Sequence, residues 1–170
     1  MRLGLLLLQQ PQSQEFLMKI LVMSDSHGSK NNMLEAICKE SPDYILHLGD
    51  NERDCTSIEA VYPDIPLRKV RGNCDRGYRG LDIDEFVLCD KRFYMTHGHL
   101  HSVKTARINI KQAALGKNAD ILLFGHTHTP HQSVFEGMLI INPGSIGTDG
   151  KSYAVLEIEN GDVECNIKTL

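Results

Sequence analysis

Acidic, amide and imidazole side chains recur directly after short apolar runs along this sequence. The motifs are Ser24-Asp25-Ser26-His27, Gly49-Asp50, Gly72-Asn73, His97-Gly98-His99 and Gly125-His126-Thr127-His128. Carboxylate and amide oxygens combined with imidazole nitrogens, and no thiolate, suit Mn²⁺, Ni²⁺, Fe²⁺ or Zn²⁺. The predicted metal ligands are Asp25, His27, Asp50, Asn73, His97, His126 and His128. Because seven ligands exceed one tetrahedral site, we predict two divalent ions, an arrangement suited to displacement at phosphorus.

The spacing of the motifs indicates that they meet in space. Asp25 and Asp50 are separated by 25 residues, Asp50 and Asn73 by 23, and Asn73 and His97 by 24. Each interval is about the length of one strand, a crossover and the return. Since open α/β sheets form their sites at the carboxyl ends of strands, we expect all the motifs at one sheet edge. In an extended backbone, Asp25-x-His27 and His126-x-His128 would each point two side chains the same way.

Each motif also has a purely structural explanation when taken alone. Asp25-Ser26-His27 is typical of a strand end or helix cap, Gly49-Asp50 of a turn, and His126-x-His128 of a solvated loop. The ordered series, with every motif placed after an apolar run, favours a metal site over coincidence. The segment 142–147 offers either N–H groups to a phosphate or a tight turn that closes the site wall, and the turn is the favoured interpretation.

The apolar runs alternate with helical patterns, as they do in βαβ units. Strands are predicted over 20–23, 44–48, 67–70, 86–88, 93–95 and 121–124. Apolar residues at helical spacing predict a helix over 30–40, a second over 103–114 with Gly116 as its C-cap, and a weaker one over 51–62. Glu136-Gly137 and Asn160-Gly161 are hairpin turn signals, so the chain is predicted to end in antiparallel strands.

Composition limits the class of protein. With 18 Lys+Arg against 22 Asp+Glu, a net charge of −4 and no basic stripe, a dedicated duplex nucleic-acid binder is disfavoured. Five cysteines without a CxxC pair argue against a disulfide framework and against a thiolate zinc site, which favours a cytoplasmic protein. The apolar stretch 3–8 is far shorter than the ~18 residues of a membrane span, so no membrane association is predicted.

Met18 directly precedes the first strand pattern. Residues 1–17 are therefore predicted to be a leader outside the fold, and residues 18–170 are predicted to form a single domain. A short amphipathic segment that binds a partner is the alternative for residues 1–17.

The motif series resembles that of the calcineurin-like metallophosphoesterase superfamily. Gly72-Asn73-Cys74-Asp75 and Asn142-Pro143-Gly144-Ser145 are similar to its small YfcE-type phosphodiesterase branch. The resemblance covers residues 18–170 and implies an α/β fold, a four-layer αββα sandwich with mixed sheets. It implies two divalent ions, with Mn²⁺ as the first choice, and hydrolysis of phosphodiesters by a metal-bridging water. Ligands to one ion would be Asp25, His27 and His128, ligands to the other Asn73, His97 and His126, and the bridge Asp50.

Catalytic roles are predicted for Asp50, Asn73 and His99. Asn73 would hold a phosphate oxygen as well as its metal, and His99 would donate a proton, contact substrate or position His97. Two residues depart from the superfamily pattern. Arg53 stands where many members have an acid, and Cys74 replaces the His that assists the leaving group, which predicts weak activity on phosphomonoesters.

The partner of this site is predicted to be a small phosphate ester. The alternative function is a non-catalytic protein-binding scaffold on the same fold, as in the retromer subunit, but a repurposed site is expected to lose ligands and all seven positions are filled. A nuclease subunit would call for a basic groove and a further domain, and the sequence shows neither. The oligomeric state stays open, a homodimer included.

Overall fold

The computed structural model describes residues 17–170. In chain order its strands are β1 (Leu17–Met23), β2 (Tyr44–His47), β3 (Leu67–Lys69), β4 (Ile83–Leu88), β5 (Lys91–Thr96), β6 (Ile121–Phe124), β7 (His131–Phe135), β8 (Met138–Asn142), β9 (Ser152–Glu159) and β10 (Asp162–Thr169). The helices are α1 (Lys30–Glu40), α2 (Glu52–Val61) and α3 (Ile108–Leu115). A short 3₁₀ turn covers His99–His101.

The strands form two mixed sheets of five strands each, in the orders β10-β9-β1-β2-β3 and β4-β5-β6-β8-β7. In the first sheet β1, β2 and β3 run parallel, and β9 and β10 add antiparallel strands at one side. In the second sheet β5, β6 and β8 run parallel, with β4 and β7 antiparallel at the two edges. The predicted mixed sheets and both C-terminal hairpins, β7-β8 and β9-β10, are confirmed.

Successive side chains along each strand point to opposite faces of the sheet, and this alternation separates the apolar core into layers. Ile20 and Val22 of β1 belong to an apolar cluster between the two sheets, whereas Leu21 and Met23 belong to a second cluster beneath α1 and α2. A third cluster joins the outer face of the second sheet to Ile110 of α3. Strands buried on both faces read as continuous apolar runs, which explains their pattern in the sequence. The predicted αββα sandwich is confirmed.

The helix predictions were correct for α1 and α2, but the helix predicted over 103–114 is wrong in its first half. Ser102 adopts a left-handed conformation with φ 54°, and Ala106 N–H bonds the Ser102 carbonyl in a turn, so α3 begins only at Ile108. Gly116 is the C-cap of α3, as predicted, although its φ of −61° is not left-handed. The left-handed residue after this helix is Asn118, with φ 54°.

The site motifs do not share one sheet. Three follow β1, β2 and β3 of the first sheet, and two follow β5 and β6 of the second. The prediction of a single sheet edge is therefore wrong, because the carboxyl ends of two packed sheets converge. Strand β1 begins at Leu17, which pairs with Glu159, and the rest of the predicted leader, residues 1–16, lies outside the described residues. Among residues 17–170, no helix is long and apolar enough to cross a membrane.

Candidate metal centre

Left-handed backbone conformations aim most of the predicted ligands. Positive φ angles occur at five of the seven predicted metal ligands, namely Asp25 (54°), His27 (45°), Asp50 (63°), His126 (68°) and His128 (57°). Such angles are uncommon outside glycine and cluster at functional sites, where the surrounding structure holds them. The extended geometry predicted for the two x-separated pairs is therefore wrong. After each of these strands the backbone turns sharply and directs the ligand side chains inward.

Glycine precedes three of the ligands because the loops pack closely. A Cβ at Gly72 would collide with the Asp50 side chain, and a Cβ at Gly125 would collide with Ser24. The Gly49-Asp50, Gly72-Asn73 and Gly125-His126 pairs thus let the loops from both sheets approach one another.

Asp25, His27 and His128 form what we call the His128 group. Asp25 Oδ1 lies 3.2 Å from His128 Nε2 and 4.0 Å from His27 Nε2, and these two nitrogens are 3.3 Å apart. Asp25 itself is buried, and its other oxygen accepts hydrogen bonds from Ser24 Oγ and from the backbone N–H of His126. The side chains of His27 and His128 are 38% and 35% exposed, so this group faces solvent.

Asn73, His97 and His126 form the His97 group. His97 Nε2 lies 3.1 Å from both Asn73 Oδ1 and His126 Nδ1. Its Nδ1 lies 2.8 Å from the Leu48 carbonyl, which can only accept, so His97 donates there and Nε2 carries a lone pair. Burial lowers the pKa of His97, and burial also lowers that of His126. Both rings are therefore neutral near pH 7, the form that binds metals.

Asp50 lies between the two groups. Its Oδ2 is 3.8 Å from His27 Nε2 and 3.6 Å from His97 Nε2, while its Oδ1 accepts the backbone N–H of Cys74 at 2.8 Å. Burial opposes the charged form, but His97 and the Cys74 N–H together hold the pKa of Asp50 below its ordinary value. One oxygen is thus fixed by the protein, and the other points at both groups of imidazoles.

The donor set fits metal ions. Asp25 Oδ1 is buried without a hydrogen-bond partner among residues 17–170, and burial raises the pKa of this carboxyl despite the nearby His97. A buried carboxylate oxygen without a donor is costly unless a cation lies beside it. The lone pair of His97 Nε2 faces Asn73 Oδ1, and two such acceptor atoms are likewise stabilised by a cation between them. Three triads have ligand atoms that lie within 4.8 Å of one another: Asp25-His27-His128, Asp25-Asp50-His97 and His27-Asp50-Cys74.

Two acids that the sequence reasoning missed hold the ligands. Asp149 Oδ2 accepts a hydrogen bond from His128 Nδ1, which leaves His128 Nε2 free to bind a cation. Ser145 Oγ donates to the other oxygen of Asp149 at 2.7 Å. No spacing rule marks Asp149, since it lies 21 residues from His128 in a turn after β8.

The second missed acid is Asp75. Its buried carboxylate accepts four backbone N–H groups, those of Asp50 and Gly72 at Oδ2 and those of Asn51 and Glu52 at Oδ1, at 2.7 to 3.0 Å. These bonds tie the loop that carries Asp50 to the loop that carries Asn73. Asp75 was visible in the sequence only as the last residue of Gly72-Asn73-Cys74-Asp75.

His99 lies beside the centre without joining it. Its ring centroid is 5.4 Å from that of His97 and 6.3 Å from that of His126, and its Nδ1 is buried without a partner among the described residues. The Leu48 carbonyl, not His99, bonds His97 Nδ1. The role of His99 as a proton donor stays a prediction.

Cys74 lies at the rim of the site. Its Sγ is 3.3 Å from Asn73 Nδ2, and desolvation together with Asp50 raises the pKa of the thiol, which keeps it neutral. The segment 142–147 forms a wall of the site. Ile146 N–H bonds the Ser24 carbonyl, Ser145 Oγ lies 2.9 Å from the Asp25 carbonyl, and the N–H groups of Gly144 and Gly147 bond side chains of the same segment. These N–H groups are used within the protein, so the turn interpretation is confirmed.

Comparison with known proteins agrees with this arrangement. Residues 18–161 match the model of the calcineurin-like phosphoesterase superfamily domain. The probable metallophosphoesterase YsnB of Bacillus subtilis is 37% identical over 153 residues, covering 84% of this chain and 86% of that protein. The phosphodiesterase YfcE of Escherichia coli K12 is 28% identical, covering 83% and 88%.

Solved structures give the same result. A predicted phosphoesterase of Streptococcus pneumoniae TIGR4 superposes with a TM-score of 0.77 at 28% identity, covering 91% of this chain and 90% of that chain. Vacuolar protein sorting 29 of Cryptosporidium parvum shares the fold at 17% identity, with a TM-score of 0.70 over 90% and 97% of the two chains. The match of the domain model over most of the chain, together with the YsnB similarity, places this protein in the calcineurin-like phosphoesterase superfamily.

Proposed function

We propose that this protein is a phosphodiesterase that uses two divalent metal ions, Mn²⁺ in the first place, to hydrolyse small phosphate esters. The observation that carries the proposal is the position of Asp50. One of its oxygens is fixed by the Cys74 N–H, and the other lies 3.8 Å and 3.6 Å from imidazoles of the two ligand groups. A carboxylate so placed would be able to hold two ions at once, as two-metal hydrolysis requires.

Bound divalent cations would supply positive charge at the phosphate oxygens and lower the pKa of water toward ~7. The chain's own groups provide the rest. The Leu48 carbonyl and Asp149 fix the tautomers of His97 and His128. The amide nitrogen of Asn73 donates one N–H to Cys74 Sγ at 3.3 Å and would have its second N–H for a phosphate oxygen. His99, whose ring centroid lies 5.4 Å from that of His97, is the candidate that would donate a proton to the departing group.

The preference for diesters follows from Cys74. A neutral thiol is a weak proton donor, and a phosphomonoester with an unactivated alcohol needs a strong one. A diester with an acidic leaving group depends less on that proton.

The scaffold alternative has one supporting observation, the shared fold of vacuolar protein sorting 29. The deciding experiment is to load the purified protein with Mn²⁺, measure metal content, and assay bis(p-nitrophenyl) phosphate and p-nitrophenyl phosphate before and after chelation. The proposal expects about two ions per chain and diester hydrolysis that disappears with the metal. A fully loaded protein without activity on any ester would favour the scaffold.

A further inference from the structure

A polar cavity of about 550 Å³ opens beside the metal centre. It lies between the start of α2, residues 51–53, and the loop of residues 74–78. Cys74 belongs both to this cavity and to the rim of the site, and its backbone N–H bonds Asp50. A substrate with its phosphate at the centre therefore has room on this side for one of its ester groups.

The charges that line the cavity do not balance. The two acids are already compensated, because Glu52 pairs with Lys69 at 3.1 Å and Asp75 accepts four backbone N–H groups. Arg53 and Arg76 are exposed, and their side chains form no ion pair or hydrogen bond with any residue from 17 to 170. Two guanidinium groups thus face the cavity without a counter-charge, and guanidinium binds phosphate and carboxylate in a forked geometry.

We infer that this cavity binds an anionic group carried by one ester arm of the substrate, so that Arg53 and Arg76 determine substrate class. The inference rests on the proposed function, since it assumes that the diester phosphate lies at the metal centre. It also gives a use to Arg53, whose position breaks the superfamily pattern. The preferred substrates are then diesters that bear a second phosphate or carboxylate.

The test uses two substrates that differ by one phosphate. These are thymidine 5′-(p-nitrophenyl phosphate) and the same compound with an added 3′-phosphate, assayed with the Mn²⁺-loaded protein. Wild type should hydrolyse the 3′-phosphorylated compound with a higher kcat/KM by about tenfold, the size of one charge-assisted hydrogen bond. Arg53→Gln and Arg76→Gln should each reduce that ratio several-fold, and the double variant should bring it near one.

Arg79→Gln is the matched control. Arg79 is also exposed and lies three residues from Arg76, but it does not line the cavity. Its substitution should leave both the ratio and the kcat/KM for the smaller substrate unchanged. A wild-type ratio near one, or an equal ratio in the double variant and wild type, overturns the inference.

Binding separates this inference from the proposed reaction. Calorimetry with thymidine 3′,5′-bisphosphate and thymidine 5′-monophosphate should show a tighter Kd for the bisphosphate in wild type and in Arg79→Gln, and equal Kd values in the double variant. Hydrolysis of neither substrate by the loaded protein would sink the proposed reaction. Hydrolysis of both, with no preference in rate or in Kd, would sink the role of the two arginines alone.

Discussion

The two halves of the metal centre hold their ligands by different means. In the His97 group the central imidazole is fully buried, and a backbone carbonyl at the end of β2 fixes its tautomer. In the His128 group both imidazoles are more than a third exposed, and His128 depends on Asp149, whose side chain is itself 51% exposed. His97 is thus held by main chain inside the fold, and His128 by a side chain at the surface.

This difference indicates which group of ligands is already held in its metal-binding arrangement before an ion binds. Ligands that buried backbone groups hold in place lose little freedom on binding an ion, whereas exposed side chains must be ordered at that moment. We therefore expect the ion of the His97 group to be the tighter of the two. Asp50, tied by Asp75 to two loops, belongs to both halves and connects them.

Removing Asp50 should have the largest effect on metal content and activity, because Asp50 is the residue that connects the His97 group to the His128 group. In Asp50→Ala we expect Mn²⁺ content to fall below two ions per chain and diester kcat/KM to fall more than ~100-fold, beyond the loss typical of an outer partner. Metal analysis and the diester assay check this. Full activity of the variant, or of wild type after exhaustive chelation, would contradict a shared bridge.

Asp75→Asn tests the preformed half. The amide keeps one acceptor oxygen for four N–H donors, and each buried N–H left without a partner costs ~1–3 kcal/mol. We expect the free energy of unfolding to fall by about 2–4 kcal/mol in urea titrations, with a loss of metal affinity of ~10–100-fold. Asp64→Asn is the control, at an exposed acid whose side chain makes no hydrogen bond with any residue from 17 to 170. Equal stability of the two variants would show that the four hydrogen bonds of Asp75 contribute nothing to the free energy of unfolding.

The pH dependence of stability tests the same buried part of the site through His47. It is fully buried in β2, three residues before Asp50, and burial lowers its pKa to about 4. The unfolded chain therefore binds this proton at a higher pH than the folded protein, so stability is complete above pH ~6.5 and declines as pH falls toward 4. The metal-free protein should lose about 3 kcal/mol of unfolding free energy through His47 across that range. His47→Asn should lose correspondingly less, measured as the difference in pH slope. Identical slopes would mean that His47 is charged in the folded state.

Asp149→Asn tests the exposed half. The amide no longer accepts strongly from His128 Nδ1, so the ring is free to take the wrong tautomer. We expect a loss of ~10-fold in the affinity for the weaker ion, little change for the tighter one, and unchanged stability. A two-step Mn²⁺ titration, with Asp64→Asn as control, resolves the two ions. A loss confined to the tighter ion would reverse the comparison.

Cys74→His has the smallest expected effect, because Cys74 lies at the rim and belongs to neither half. An imidazole there would donate a proton better than the thiol, so activity on an unactivated phosphomonoester should rise relative to bis(p-nitrophenyl) phosphate. The ratio of kcat/KM values is measured with metal content held equal. A ratio that stays flat in a fully loaded variant would assign the diester preference to the shape of the cavity.

Local sequence determined much of this protein. The apolar runs before Asp25, Asp50 and His126 mark buried strands, since strands covered on both faces need no polar alternation. The extent of α1 followed from its apolar spacing and from Ser41-Pro42 at its end. The turn dipeptides gave both hairpins, because Asn-Gly and Glu-Gly tolerate positive φ.

Tertiary structure alone decided how the ligands are aimed. The same residue types fit one sheet edge or two, and only the packing of β1–β3 against β5 and β6 brings His97 to the Leu48 carbonyl. Positive φ at Asp25 and His27 is unfavourable for each residue by itself, so local preference cannot predict it. Asp75 and Asp149 hold groups 24 and 21 residues away, respectively, at Asn51 and His128. Such contacts have no signature in spacing, because they form only once the loops meet.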